Sequence, residues 1–139
     1  IGSGNKKREI QDLIEELSLK KIVKILNFKK NPYPYIKKAD LFILSSNFEG
    51  LPNVLLEAIT LNTFVISSNC PTGPSEILDN GKGGFLFKVG DYNELSKKII
   101  FFINNKKINN KKLLFAKKRL ERFNYYKNLL KYKKIFDTV

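Results

Sequence analysis

The chain contains no histidine and only one cysteine, and these scarcities exclude a good deal of chemistry. Without an imidazole there is no Ser-His or Cys-His catalytic couple, and one sulfur alone cannot build a transition-metal centre. Cys70 has no second cysteine with which to form an internal disulfide, which fits a reducing compartment. Long apolar runs are also missing. Ile99 to Ile103 is typical of the longest, far below the roughly 20 residues a membrane helix needs. The first residues carry no signal-peptide pattern. Proline ends at Pro74 and glycine at Gly90, so the stretch beyond Gly90 has no strong helix breaker and reads as helical, with Asp91 as N-cap. The pairs Asn104-Asn105 and Asn109-Asn110 are the expected interruptions.

What is present is enough for one domain with a real core: 139 residues, 42% hydrophobic and 28% charged. The net charge of +13 is unevenly spread. Residues 1 to 96 carry 12 basic and 11 acidic side chains, whereas residues 97 to 139 carry 14 basic and 2 acidic. The basic character therefore belongs to the tail. Of the 26 basic residues 23 are lysine and 3 are arginine, a balance that disfavours nucleic acid, where the arginine fork leads recognition. A solvated lysine-rich surface and an attraction to anionic lipid headgroups both fit.

Along the chain, apolar spacing alternates between helical and strand periods. Ile10, Leu13, Ile14 and Leu17 recur at helical spacing over Lys6 to Leu17, and a short strand is expected over Ile22 to Leu26. A short helix around Pro34 to Lys38 precedes the wholly apolar run Leu41 to Leu44, which suits a strand buried on both faces. A helix from Asn53 to Thr60, a strand over Phe64 to Ser67, a helical turn over Ser75 to Leu78 and a strand over Gly84 to Phe87 complete the pattern. Repeated βα alternation predicts an α/β fold: a Rossmann-like, doubly wound parallel sheet with helices on both faces, ending in C-terminal helices. Leu113, Ala116, Leu120 and Phe123 form one apolar stripe in those helices, and Leu129, Leu130, Ile135 and Phe136 another.

The most informative stretch is Phe48 to Ala58, which sets Glu49 and Glu57 eight positions apart across a loop leading into a helix. Pro52 suits a first turn, and the free amides at a helix start attract an anion. Glu57 then lies about one turn inside the helix while Glu49 stays in the loop, so the two carboxylates can bracket a ligand whose phosphate sits at the helix end. Carboxylates accept the hydrogen bonds that sugar hydroxyls donate. Ligands of open α/β sheets bind outside the carboxyl ends of the strands, which puts Asn27, Phe28, Ser45 to Asn53 and Ser67 to Gly73 on one rim. Taken singly, either glutamate is more ordinary as an exposed helix residue or a turn residue. Asn53 serves equally well as a plain helix start, Glu76 as a local cap, and Cys70 as a small loop residue.

The whole ordered set resembles the retaining glycosyltransferases of family 4, whose signature is Glu-x(7)-Glu. The resemblance takes in Ile1 to Gly4, Ala39 to Ser46, the Glu49 to Glu57 motif, Asn69 to Leu78, and Asn80 to Phe87 followed by Asp91. It implies the nucleotide-sugar-binding, C-terminal half of a GT-B enzyme over residues 1–103, lacking its first strand, with lysine-rich helices over 104–139 packing on it or crossing from it. By the same resemblance Glu49 is the catalytic candidate, contacting the transferred sugar, and Glu57 holds the ribose hydroxyls. Ser46, Asn27 and Phe28 join the substrate-binding set, with the backbone of Gly50, Leu51, Asn53, Val54 and Leu55 around the phosphates.

The implied donor is a UDP- or GDP-sugar, with no metal and no cofactor, and the acceptor a glycan or lipid-linked molecule of bacterial surface polysaccharide assembly. The implied setting is cytoplasmic, with peripheral contact at the inner face of the membrane. In the family a basic pair and an acceptor domain lie upstream of the matched region, so this chain alone is expected to be a poor catalyst. The alternative is a non-catalytic basic module for anionic lipid or nucleic acid.

Overall fold

The computed structural model describes residues 1–138. The chain divides into two compact units, Ile1–Tyr35 and Ile36–Val139. In the first, α1 (Lys7–Glu16) follows a turn whose Gly2 amide donates to the Leu26 carbonyl at 2.9 Å. Lys7 Nζ donates to Asn27 Oδ1 at 2.8 Å. α1 has the amphipathic spacing predicted, yet it buries no residue, and Ile10, Leu13 and Leu17 remain exposed. The segment Ile22 to Leu26 is not a strand. A strand exists by its ladder, and the sheet pairs only three other strands among the described residues. Ile22 and Val23 are left exposed.

α2 (Tyr33–Lys38) runs across the boundary into the second unit, which contains the sheet. Strands β1 (Leu41–Leu44), β2 (Phe64–Ser68) and β3 (Phe85–Phe87) are parallel and lie side by side in that order. Leu41 pairs with Phe64, and Ile66 with Phe85. All five residues of β2 are buried, as a central strand covered on both faces requires. Because side chains alternate along a strand, Val65 faces one cluster with Leu55, Ala58, Ile59, Ile77, Leu78 and Ala116. Phe64 and Ile66 face the other, with Phe85 and Phe87.

α3 (Asn53–Thr60), α4 (Pro74–Ile77) and α6 (Lys106–Arg119) supply the first cluster, and α5 (Tyr92–Asn104) covers the second through Leu95, Ile99 and Phe102. Helices thus lie on both faces of a parallel sheet, the doubly wound arrangement. Gly84 allows this layering, since a Cβ there would stand 2.8 Å from the Val65 carbonyl oxygen and 3.1 Å from Leu78 Cδ2. The buried Thr63 hydroxyl, at the entrance to β2, donates to the Ile36 carbonyl at 2.7 Å.

The tail is helical, as the lack of breakers predicts. The Asp91 side chain caps α5 by accepting from the Glu94 amide at 2.8 Å. The interruption at Asn104-Asn105 is present, but α6 continues through Asn109-Asn110. Instead of breaking α6, the buried Asn109 side chain donates to the Phe102 carbonyl at 2.6 Å and so serves the last turn of α5. A 3-10 turn (Leu120–Phe123) leads to α7 (Tyr125–Phe136). The first predicted stripe packs on the core through Leu113, Ala116, Leu120 and Phe123, whereas Leu129, Leu130, Ile135 and Phe136 are exposed. No helix among the described residues is long and apolar enough to cross a membrane.

Leu55 tests this packing. It is fully buried between α3 and β2, so Leu55→Ala is expected to lower stability by about 2–5 kcal/mol in urea denaturation.

Candidate functional site

β1 stops at Leu44 and β2 at Ser68, and the two loops that leave their carboxyl ends run to α3 and α4. Hydroxyl groups tie these loops together. Ser68 Oγ donates to the Ser46 carbonyl at 2.6 Å, and Thr72 Oγ1 donates to the Glu49 carbonyl. Just beyond the Thr72 tie, Gly73 is pressed against the other loop. A Cβ on it would lie 2.1 Å from the Gly50 carbonyl oxygen and 2.4 Å from Pro52 Cδ. Its φ of 88° and ψ of −64° also belong to a region that side chains resist. The Glu49 loop is therefore held by its backbone, which leaves the half-buried Glu49 side chain outside these ties.

α3 begins at Asn53, with Pro52 at the N-cap and no side chain capping it. The amides of Asn53 and Val54 fall in the first turn, ahead of the helix's own ladder. Leu55 does not belong with them. Its amide donates to the Pro52 carbonyl at 2.9 Å and its side chain is in the core. α3 buries Leu55, Ala58 and Ile59, and at 100° per residue Asn53 and Glu57 share the face turned away from that stripe. Glu57 is nonetheless half-buried.

The predicted residues fall into two groups. Ser46, Glu49, Gly50, Leu51, Asn53, Val54 and Glu57 share one rim, on one loop and the helix it enters. Asn27 and Phe28 belong to the other unit, where Asn27 accepts from Lys7 and Phe28 is largely exposed. A cavity of about 560 Å³ is lined by Leu51 together with Glu76, Arg122, Lys131 and Tyr132. Another of about 700 Å³ opens at the outer edge of β3. Neither is lined by Glu49 or Glu57.

Sequence reasoning had not singled out Thr72 or Arg122. A glycine placed directly before a helix-starting proline was the available signal for the first. Arg122 reaches the far end of α4 and donates to the Glu76 carbonyl at 3.0 Å, a contact between distant segments that no local pattern announces.

Residues 1–128 match the family model described as glycosyl transferases group 1. The chain belongs to that family. An uncharacterized glycosyltransferase of Methanocaldococcus jannaschii is 46% identical over 78 residues, 56% of this chain and 19% of that protein. An N-acetylgalactosamine-N,N'-diacetylbacillosaminyl-diphospho-undecaprenol 4-alpha-N-acetylgalactosaminyltransferase of Campylobacter jejuni is 31% identical over 127 residues, 91% of this chain and 35% of that enzyme. Among solved structures, Anabaena HepE in complex with UDP-glucose superposes with a TM-score of 0.86 at 23% identity, covering 99% of this chain and 40% of that one. This group 1 chain thus spans about a fifth to a third of the length of these two curated relatives.

Two substitutions test the tie between the loops. Gly73→Ala is expected to cost about 2 kcal/mol or more in urea denaturation, from the forced backbone conformation and the overlap with Gly50. Thr72→Val removes one hydrogen bond and is expected to cost about 1 kcal/mol, with faster amide exchange confined to residues 46–52.

Proposed function

We propose that this chain is the nucleotide-sugar-binding part of a family 4 retaining glycosyltransferase, which transfers a sugar from a nucleoside diphosphate sugar to a glycan or lipid-linked acceptor in surface polysaccharide assembly. The observation that carries the reading is the tied rim, which sets the Glu49 loop against the uncapped start of α3. Membership in the group 1 family and the diphospho-undecaprenol acceptor in the name of the Campylobacter jejuni relative support it.

In this reading the donor diphosphate meets the amides of Asn53 and Val54. Glu57 takes the two ribose hydroxyls, and Glu49 takes hydroxyls of the sugar near the reacting carbon. Gly50 and Leu51 supply backbone close to the phosphates, and Ser46 lines the same loop. Asn27 and Phe28 keep their place in the proposed substrate-binding set. The reaction must stabilise a departing nucleoside diphosphate and an oxocarbenium-like sugar, a task for oriented amides and cations more than for a strong base. No metal or cofactor is assigned to it. Residues 1–103 are read as the donor-binding region and 104–139 as helices that accompany it. A donor diphosphate between two carboxylates is repelled, at about 1 kcal/mol per unit-charge pair 4 Å apart in water. In this reading the site needs further positive charge beside the diphosphate, and the chain by itself is read as a weak catalyst.

The lysine-rich tail supports a second reading alongside this one: peripheral contact with anionic lipid, which suits a lipid-linked acceptor at the inner face of a cytoplasmic membrane.

Donor binding is tested by a thermal melt with UDP. Ligand at about 100 times Kd adds about 2.7 kcal/mol, a rise in Tm of several degrees. Glu57→Ala is expected to abolish the rise, while Glu49→Ala keeps it for UDP and loses the extra shift given by a UDP-sugar. If neither UDP nor GDP at millimolar concentration moves the wild-type Tm, the reading fails.

A further inference from the structure

The turn after α4 runs through Asp79, Asn80 and Gly81, which have positive φ of 49°, 51° and 86°. Asparagine and glycine suit such a turn, because glycine has no Cβ and asparagine tolerates the left-handed region. The same pair carries a chemical liability. Asparagine is thermolabile, since the amide nitrogen of the next residue can attack its side-chain carbonyl carbon. A following glycine hinders that attack least, again because it has no Cβ. In the whole chain only Asn80 is followed by glycine.

Both reacting groups of this pair are free. The amides of Asn80, Lys82 and Gly83 donate to the carbonyls of Ser75, Asp79 and Leu78, but the Gly81 amide donates to nothing among the described residues. The Asn80 side chain is exposed and likewise has no hydrogen-bond partner among them. Asn62 shows the opposite case. Its φ is also positive, at 66°, yet Lys117 Nζ donates to its side-chain oxygen. The residue after it, Thr63, is branched at Cβ, and its amide is committed to the Ala58 carbonyl at 2.9 Å.

We propose that Asn80 is a site of spontaneous deamidation, and that its isoaspartate product loosens α6 from the turn. The Gly81 nitrogen, its proton taken by hydroxide, bonds to Asn80 Cγ, and the Cγ–Nδ2 bond breaks to release ammonia. Water then opens the cyclic imide. Opening at Cγ leaves aspartate, whereas opening at the main-chain carbonyl leaves isoaspartate, with an added carbon in the backbone. Aspartate keeps the backbone length and places its carboxylate beside a cavity lined by Lys98 and Lys112. Isoaspartate lengthens the turn to which α6 is fastened. Lys112 Nζ donates to the Gly81 carbonyl and Arg119 Nε pairs with Asp79 at 3.5 Å. A Cβ on the neighbouring Gly83 would stand 2.9 Å from Ala116 Cβ, so α6 leaves a longer turn no slack.

The test holds the chain at mildly alkaline pH beside a free peptide of residues 76–84. Both are followed by ion-exchange chromatography and by mass spectrometry of the fragment that contains Asn80. Conversion is expected at Asn80 ahead of every other asparagine, faster as pH rises, and no more than about tenfold slower than in the peptide, the cost of opening an exposed turn. Asn80→Ser is expected to abolish the new acidic form. The isolated isoaspartate form is expected to melt several degrees below the wild type and to exchange the amides of α6 faster, whereas Asn80→Asp melts with the wild type. Conversion slower than that limit, or first at another asparagine, would overturn the proposal. So would an isoaspartate form that melts with the wild type, or an Asn80→Asp variant that melts as low as the isoaspartate form, since the longer backbone would then not be the cause.

Discussion

The site depends on how closely two loops approach at the carboxyl ends of β1 and β2. At Gly73 the backbone of one loop lies where any larger residue would overlap the Gly50 carbonyl and the Pro52 ring. That contact fixes Pro52, and Pro52 fixes where α3 starts. The Thr72 and Ser68 hydroxyls take two carbonyls ahead of it in the same loop, those of Glu49 and Ser46. A loop left to itself would be the most mobile part of such a rim. Here the ordering is carried by the backbone, and the Glu49 carboxylate is not spent on it.

Beneath the rim, β2 carries the mechanical continuity. Its alternating residues belong to two different clusters, so a disturbance of one face reaches the other through a single buried strand. α6 is bound into the same framework from outside the sheet. Lys112 donates to the Gly81 carbonyl, Lys117 to Asn62, and Arg119 pairs with Asp79. These contacts fall on the turns that end α3 and α4, where residues with positive φ expose backbone carbonyls and side-chain oxygens. Part of the tail's charge thus serves the fold.

Much of this architecture was legible in the residues. The strand Leu41 to Leu44, the helix Asn53 to Thr60 and the Asp91 cap follow from apolar period, Pro52 and a capping side chain, although β1 lies at the sheet's edge with Ile43 exposed and is not buried on both faces as its composition suggests. The failures share one cause. Ile22 to Leu26 has strand composition, but a strand depends on a neighbour's backbone, which composition cannot supply. Asn109 resembles a breaker until its side chain is seen to bond the Phe102 carbonyl on the preceding helix. Likewise the free amides at the start of α3 could be inferred from Pro52, but only the observed bond from Leu55 to the Pro52 carbonyl shows where they stop. The tie from Thr72 to Glu49 joins residues 23 positions apart, so it is a product of the sheet and not of any local signal.

The fastenings of the rim have a chemical character of their own. Both are alcohol groups bound to peptide oxygens, and the third element is steric contact at a glycine. None of the three gains or loses a proton in the ordinary range of acidity, and none is an ion pair that dissolved electrolyte would screen. The scaffold around the two carboxylates should therefore hold its shape while the ionic environment of a charged surface changes around it.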